Sequence, residues 1–267
     1  MKKGKTALLV VLCLVVVAAA VGCTLFFVGR AKGGDSPNAN GERGKTSSFP
    51  EVAPNGYVVY FNPETGKVCT EQDYNANEGA SDTGNKSGCM KWYVFNDDGG
   101  DTVNLLLDHN TTATVAWGSE ESGQPDSVVN QLLLDVAGWA DDIKVSTRLI
   151  TANEVAQITG NMDFDSAKEG MEYFSFLPDD YVWETDTSPY GWLYDRTGDF
   201  CTNFGAFNDG TPDSGDVLNG YWTSTPYIDD HTYSWGVNQY GTMNNVPTET
   251  NDEYGVRPVI NMSRQTS

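Results

Sequence analysis

Two histidines and five cysteines bound the chemistry open to this 267-residue chain. His109 follows Asp108 and precedes Asn110, Thr111 and Thr112, and an aspartate beside a histidine is the raw material of acid–base catalysis. Adjacent side chains on an extended chain point in opposite directions, so the pair is not expected to form a dyad. The segment reads instead as a turn whose Asn, Thr and His side chains bond to backbone. His231 stands apart, near Asp229, Asp230 and Tyr233. No Gly-x-Ser-x-Gly elbow, His-Glu-x-x-His helix or phosphate-binding glycine loop accompanies either histidine, so serine-hydrolase and zinc chemistry are not expected.

Oxygen ligands are more plentiful. Asn208-Asp209-Gly210-Thr211-Pro212-Asp213-Ser214-Gly215-Asp216 brings three carboxylates into one glycine-rich loop, the type of ligand that calcium takes. Its spacing departs from the EF-hand, so a solvated turn is the default, as it is for Asp163 and Asp165. No catalytic residue, metal ligand or cofactor is assigned. The third kind of chemistry is non-covalent recognition. Between Thr225 and Tyr254 the chain offers Tyr227, Asp229, His231, Tyr233, Asn238, Tyr240, Asn244 and Asn245, amphipathic rings mixed with short hydrogen-bonding side chains, which suits a contact surface.

The elements that must hold these residues can be read from pattern. Tyr57 to Phe61, Met90 to Phe95 and Thr102 to Leu107 read as strands, with a turn at Asn62-Pro63-Glu64-Thr65-Gly66. Asn96-Asp97-Asp98-Gly99-Gly100-Asp101 is a hairpin signal between the latter two strands. Val128, Val129, Leu132, Leu133, Val136 and Trp139 fall on one helical stripe, with Ser127 as its cap. Thr151-Ala152-Asn153-Glu154 is a capping box that opens a second helix, and Gly160 closes it. Tyr221 to Ser224, Ser234 to Val237 and Gly255 to Ile260 read as three closing strands separated by polar loops. The class is α+β. Most of the seven tryptophans are expected in the core, and Arg257 is expected to pair with an acidic side chain.

Three words of sequence carry a resemblance: Gly220-Tyr221-Trp222-Thr223-Ser224, a Trp-containing strand at Trp235, and Tyr254-Gly255-Val256-Arg257-Pro258-Val259-Ile260. In that order and near that spacing they resemble the C-type-lectin-like fold, in the variant shared with formylglycine-generating enzymes and bacterial surface proteins. Arg148 to Val155 is similar to the family's strand-to-helix junction, and Tyr190-Gly191-Trp192-Leu193-Tyr194-Asp195 to its mid-domain strand. The resemblance covers roughly residues 145 to 267. It implies two helices flanking mixed sheets. Formylglycine-generating enzymes use two neighbouring cysteines that bind copper, and this chain has only Cys201 in its downstream half, so no enzyme activity is assigned.

Ala7 to Val28 is uncharged and, at 1.5 Å per residue, about 33 Å long as a helix, which matches a bilayer core. It reads as a signal anchor after a cytoplasmic segment 1–6. A cleaved signal, or a lipoprotein signal ending at Cys23, is the alternative. Lys2, Lys3 and Lys5 favour an inside N-terminus, so residues 53–267 are expected to be an extracellular domain on a flexible linker, 29–52. Cys13 and Cys23 lie in the apolar run, whereas Cys69 and Cys89 flank a loop between two strands in an oxidising compartment and are expected to form a disulfide. Residues 1–32 hold five of sixteen basic residues and no acid, which leaves eleven basic against thirty-seven acidic residues and a net charge of −26. Nucleic acid is excluded as a partner on that balance. The leading function is a membrane-anchored bacterial surface module that recognises an extracellular protein, peptide or glycan. An extracellular enzyme on the formylglycine-generating scaffold, or a structural envelope protein, is the alternative.

Overall fold

A computed structural model describes residues 49–78, 88–112, 114–119, 122–141, 144–182, 186–194, 200–202, 206–208, 219–250 and 253–264. The expected anchor 7–28, most of the tether, Cys13, Cys23, Trp183 and the loop 209–216 lie outside the described residues, as does the side chain of Cys201. No helix among the described residues is long and apolar enough to cross a membrane.

The class is α+β, mostly sheet with few helices. Its strands are β1 (Tyr57–Asn62), β2 (Lys67–Val68), β3 (Met90–Phe95), β4 (Thr102–Leu107), β5 (Lys144–Arg148), β6 (Phe174–Ser175), β7 (Phe200–Thr202), β8 (Ala206–Asn208), β9 (Gly220–Pro226), β10 (Tyr233–Asn238), β11 (Thr242–Pro247), β12 (Tyr254–Gly255) and β13 (Val259–Ser263). The helices are α1 (Glu71–Glu78), α2 (Asp126–Asp135), α3 (Ala152–Thr159) and the single turn α4 (Gly191–Tyr194). One sheet has the order β2-β1-β3-β4-β13-β5, a second the order β12-β9-β10-β11-β6, and β7 pairs β8.

The central strands of the first sheet, β3, β4 and β13, are buried on both faces, and the period of two sorts their side chains. Trp92, Val94, Val103, Leu105, Leu107 and Ile260 join one cluster with α2 and Trp222. Phe95, Leu106 and Val259 join the other with α3, Tyr221, Trp235, Val237 and Met243. The two sheets are therefore fastened through a shared core. Two fully buried indoles reinforce that join: Trp117 Nε1 donates to Thr223 O at 2.8 Å, and Trp222 Nε1 donates to Val115 O at 2.6 Å.

Local sequence explains most boundaries. The hairpin after β3 is held by Asp97 and Asp98, whose carboxylates accept from the amides of Gly99 and Gly100, and Gly99 takes φ +77°. The Thr151–Glu154 capping box is present on α3, and Gly160 closes that helix in the left-handed region. Cys69 and Cys89 are bonded, with Cα atoms 6.1 Å apart and a sequence separation of 20. Replacing both with alanine is expected to lower the unfolding free energy by about 3 kcal/mol, read from the denaturant midpoint; an unchanged midpoint would contradict this.

Five expectations need correction. The cap of α2 is Pro125, not Ser127, and it makes no side-chain cap bond. Val128, Leu132, Val136 and Trp139 of the expected stripe are buried, but Leu133 is exposed, since at 3.6 residues per turn it stands about 100° round the helix from Leu132. Tyr190 to Asp195 was expected as a strand; residues 191–194 form the turn α4 instead. Gly255 to Ile260 is not one strand, since β12 pairs in parallel with β9 while β13 lies between β4 and β5 in the other sheet. Pro258 has no amide to give to a ladder, and its carbonyl accepts from Leu107 N at 3.0 Å as the chain crosses between sheets. Lastly, Thr242–Pro247 was expected as loop and is an inner strand, β11, between β10 and β6.

Candidate functional site

Asp108 and His109 are brought together after all. They lie in a bend just past β4, where the chain is no longer extended, so His109 Nδ1 sits 2.9 Å from Asp108 Oδ2. Lys91, opposite on β3, places Nζ 3.6 Å from Asp108 Oδ1, and Tyr74 Oη donates to Oδ2 at 3.0 Å. Burial opposes ionisation of Asp108, but His109, Lys91 and Tyr93 outweigh it and hold the carboxyl well below the usual carboxylate range. Asp108 and His109 are each only 1 % exposed. A dyad sealed in this way can brace β3 against β4, but it offers no face to a substrate. The neighbouring Thr111 and Thr112 hydroxyls each lie 2.7 Å from Asp135 Oδ2, Thr111 Oγ1 also reaches the backbone at Val256 O, 3.3 Å away, and Asn110 Nδ2 donates to Gly220 O at 3.4 Å.

Among the described residues, Arg257 pairs with no carboxylate. Its guanidinium is fully buried and donates to three backbone carbonyls, Leu107 O at 2.6 Å, Leu193 O at 2.7 Å and Trp192 O at 2.7 Å. It also stands over the Tyr221 ring, 5.0 Å from the centroid. Burial pushes the Tyr221 phenol up to about 12, with Arg257 opposing. Strand β4, turn α4 and strand β9 are thus tied by one side chain. The role is architectural.

Six of the eight residues expected to contact a ligand separate into two groups at opposite ends of β10, and the other two lie within β11. Tyr227, Asp229, His231 and Tyr233 occupy the β9–β10 tip, while Asn238 and Tyr240 occupy the β10–β11 turn. Six strand residues at about 3.4 Å each keep the ends roughly 17 Å apart. Asn238 is buried, and its Oδ1 accepts from Tyr240 N at 2.9 Å and Thr242 N at 3.3 Å, so it shapes the turn. Asn244 and Asn245 lie within β11, opposite Gly236 and Trp235, and Asn244 Oδ1 accepts from the Thr242 hydroxyl at 3.1 Å. Tyr240 is exposed at the far turn.

The near tip is different, because a groove lies beside it. Gly160, Asn161, Met162, Asp163, Phe164, Met171, Glu172 and Phe174 line a cleft of about 320 Å³ between the end of α3 and the start of β6. The Phe164 ring meets Phe174 and Trp235 edge-on, both at 5.0 Å between centroids, and Tyr227 meets Trp235 edge-on at 5.3 Å. Asp229 Oδ2 accepts from Gly170 N at 2.8 Å and fastens the tip to the 161–173 segment. Capping and strand pairing therefore fix both ends of the segment, while the aromatic stack gives it a floor. Met162, Tyr173 and Ile228 expose 75 %, 68 % and 50 % of their surface on these same two segments, a concentration of apolar surface that solvation alone does not favour.

The electrostatics have one sign. Asp163, Asp165, Glu169 and Glu172 accompany Asp229 and Asp230, against a single lysine, Lys168, whose Nζ pairs with Asp165 at 3.4 Å. The hydrogen bond to Asp229 raises the Tyr227 phenol above its ordinary range, aided by Asp230 and Glu172. Sequence reasoning missed Met162, Phe164, Met171, Glu172 and Phe174. A signal was available in the spacing of Met162, Phe164, Met171, Phe174 and Phe176, five large apolar residues in a stretch with no helical or strand period. Among the described residues, no group of three or more His, Cys, Asp or Glu side chains is placed to hold a metal ion. No protein-family model, curated protein or solved structure matches the chain.

Proposed function

We propose that this chain is a recognition module, held at the outer face of a bacterial membrane by residues 7–28, which takes a protein or peptide segment into the groove beside the β9–β10 tip. A C-type-lectin-like domain from residue 53 onward is part of the same reading and is supported by the three C-terminal words of sequence. One observation carries the choice of site: three large apolar side chains stand exposed on the segment that lines an aromatic-floored cleft and on the tip fastened to it. The acid–base pair Asp108–His109, by contrast, is sealed from solvent. Loops between fixed strands are where recognition residues are usually carried.

Binders selected from a random peptide library against the full-length chain provide the test. Met162→Ser, Tyr173→Ser and Ile228→Ser are each expected to weaken them about tenfold, as truncation of an apolar anchor does, while Tyr240→Ser leaves them unchanged. The unfolding free energy should stay within the range of surface substitutions, about 0.5 kcal/mol. Binders that respond only to Tyr240→Ser would overturn the reading.

A further inference from the structure

Resting on that reading, we infer that the groove selects a cationic segment, one whose lysine or arginine side chains alternate with apolar ones. The apolar half of the match is Met162, Met171, Phe164 and Phe174, thioethers and rings that adapt to varied aliphatic shapes. The cationic half is the carboxylate rim. Asp163 and Glu172 line the cleft itself, and Asp229 and Asp230 crown the adjoining tip. An anionic or neutral polar ligand gains nothing from this arrangement. A segment carrying only charge gains little either, because the floor is aromatic and Met162 stands 75 % exposed in the lining.

Three features point beyond a merely solvated acidic surface. The carboxylates surround exposed apolar side chains instead of replacing them. Exposed or half-exposed rings at Tyr173 and Tyr227 offer faces on which an ammonium or guanidinium can rest. The negative charge also bears on a neighbour, since Asp229, through a hydrogen bond and its charge, and Asp230 and Glu172, through charge, favour the protonated Tyr227 phenol. The net charge of −21 also speeds the approach of a basic partner and repels a second copy of this chain.

The test uses the full-length chain and three short synthetic peptides, of alternating lysine and leucine, glutamate and leucine, and lysine and serine. The lysine–leucine peptide is expected to bind with an affinity that falls as salt rises, and the other two are expected to bind far more weakly. Glu172→Gln combined with Asp163→Asn should weaken the lysine–leucine peptide about fivefold, and Asp179→Asn with Asp180→Asn, the same charge change elsewhere on the surface, should not. Sensitivity to the two control substitutions as large as to the groove pair overturns the inference, because attraction would then be to net charge alone. Tight binding of the glutamate–leucine peptide, lost on Met162→Ser, overturns the inference while leaving the groove reading intact. Binding of all peptides that ignores Met162→Ser removes both.

Discussion

Arg257→Ala is expected to cost about 3–5 kcal/mol of unfolding free energy, the scale at which the partners of a buried charged group are left uncompensated. Three carbonyls lose their donor at once, those of Leu107, Trp192 and Leu193. Two of them belong to α4, whose single turn cannot satisfy its own last carbonyls. Arg257→Lys keeps the charge, but an ammonium cannot span a site built for a planar fork, so a large part of the loss should remain. Arg257→Met preserves volume and separates packing from hydrogen bonding. Denaturant unfolding checks all three; losses below about 1 kcal/mol throughout would show that the carbonyls find other donors.

Asp108→Ala is expected to produce a loss of similar size, about 3–5 kcal/mol, because it strands His109, Lys91 and the Tyr74 hydroxyl around a buried gap. The pH dependence supplies a second readout. The folded-state affinity of Asp108 for a proton is lowered relative to the unfolded chain, so its contribution is fully present above about pH 4 and disappears as pH falls through the folded value. Stability of the wild-type chain should therefore decline more steeply on acidification than that of Asp108→Asn, which has no charge to lose. Parallel acid profiles for the two proteins would show that the carboxylate gains nothing from its neighbours.

How much of this was legible in the sequence depends on whether the deciding force was local. The capping box at Thr151 and Glu154, the strands at Met90–Phe95 and Thr102–Leu107 and the bonded pair Cys69–Cys89 all follow from nearby residues, and all are present. Strand β11 was hidden because Asn244, Asn245 and Pro247 are residue types depleted in strands. It forms because the Asn238–Gly241 turn folds it back on β10, with Met243 and Val246 turned into the core. The carbonyl partners of Arg257 were not legible for the complementary reason: they come from positions 64, 65 and 150 residues away in the chain.

The candidate site shows the same division. Tyr227, Asp229, His231 and Tyr233 were legible as an amphipathic cluster, but their separation from Asn238 and Tyr240 is set by the length of β10, which a list of loop residues does not reveal. The groove-forming segment 160–174 carried too little periodicity to be read as an element. Its shape comes from contacts with Trp235 and Asp229, more than sixty and about sixty residues onward, respectively.

Hydrogen exchange of the full-length chain with and without a saturating lysine–leucine peptide tests the central claim most directly. Slowed exchange confined to residues 160–174 and 227–233 is the predicted result. Protection confined to the 238–242 turn, or spread evenly over the acidic surface, would contradict it.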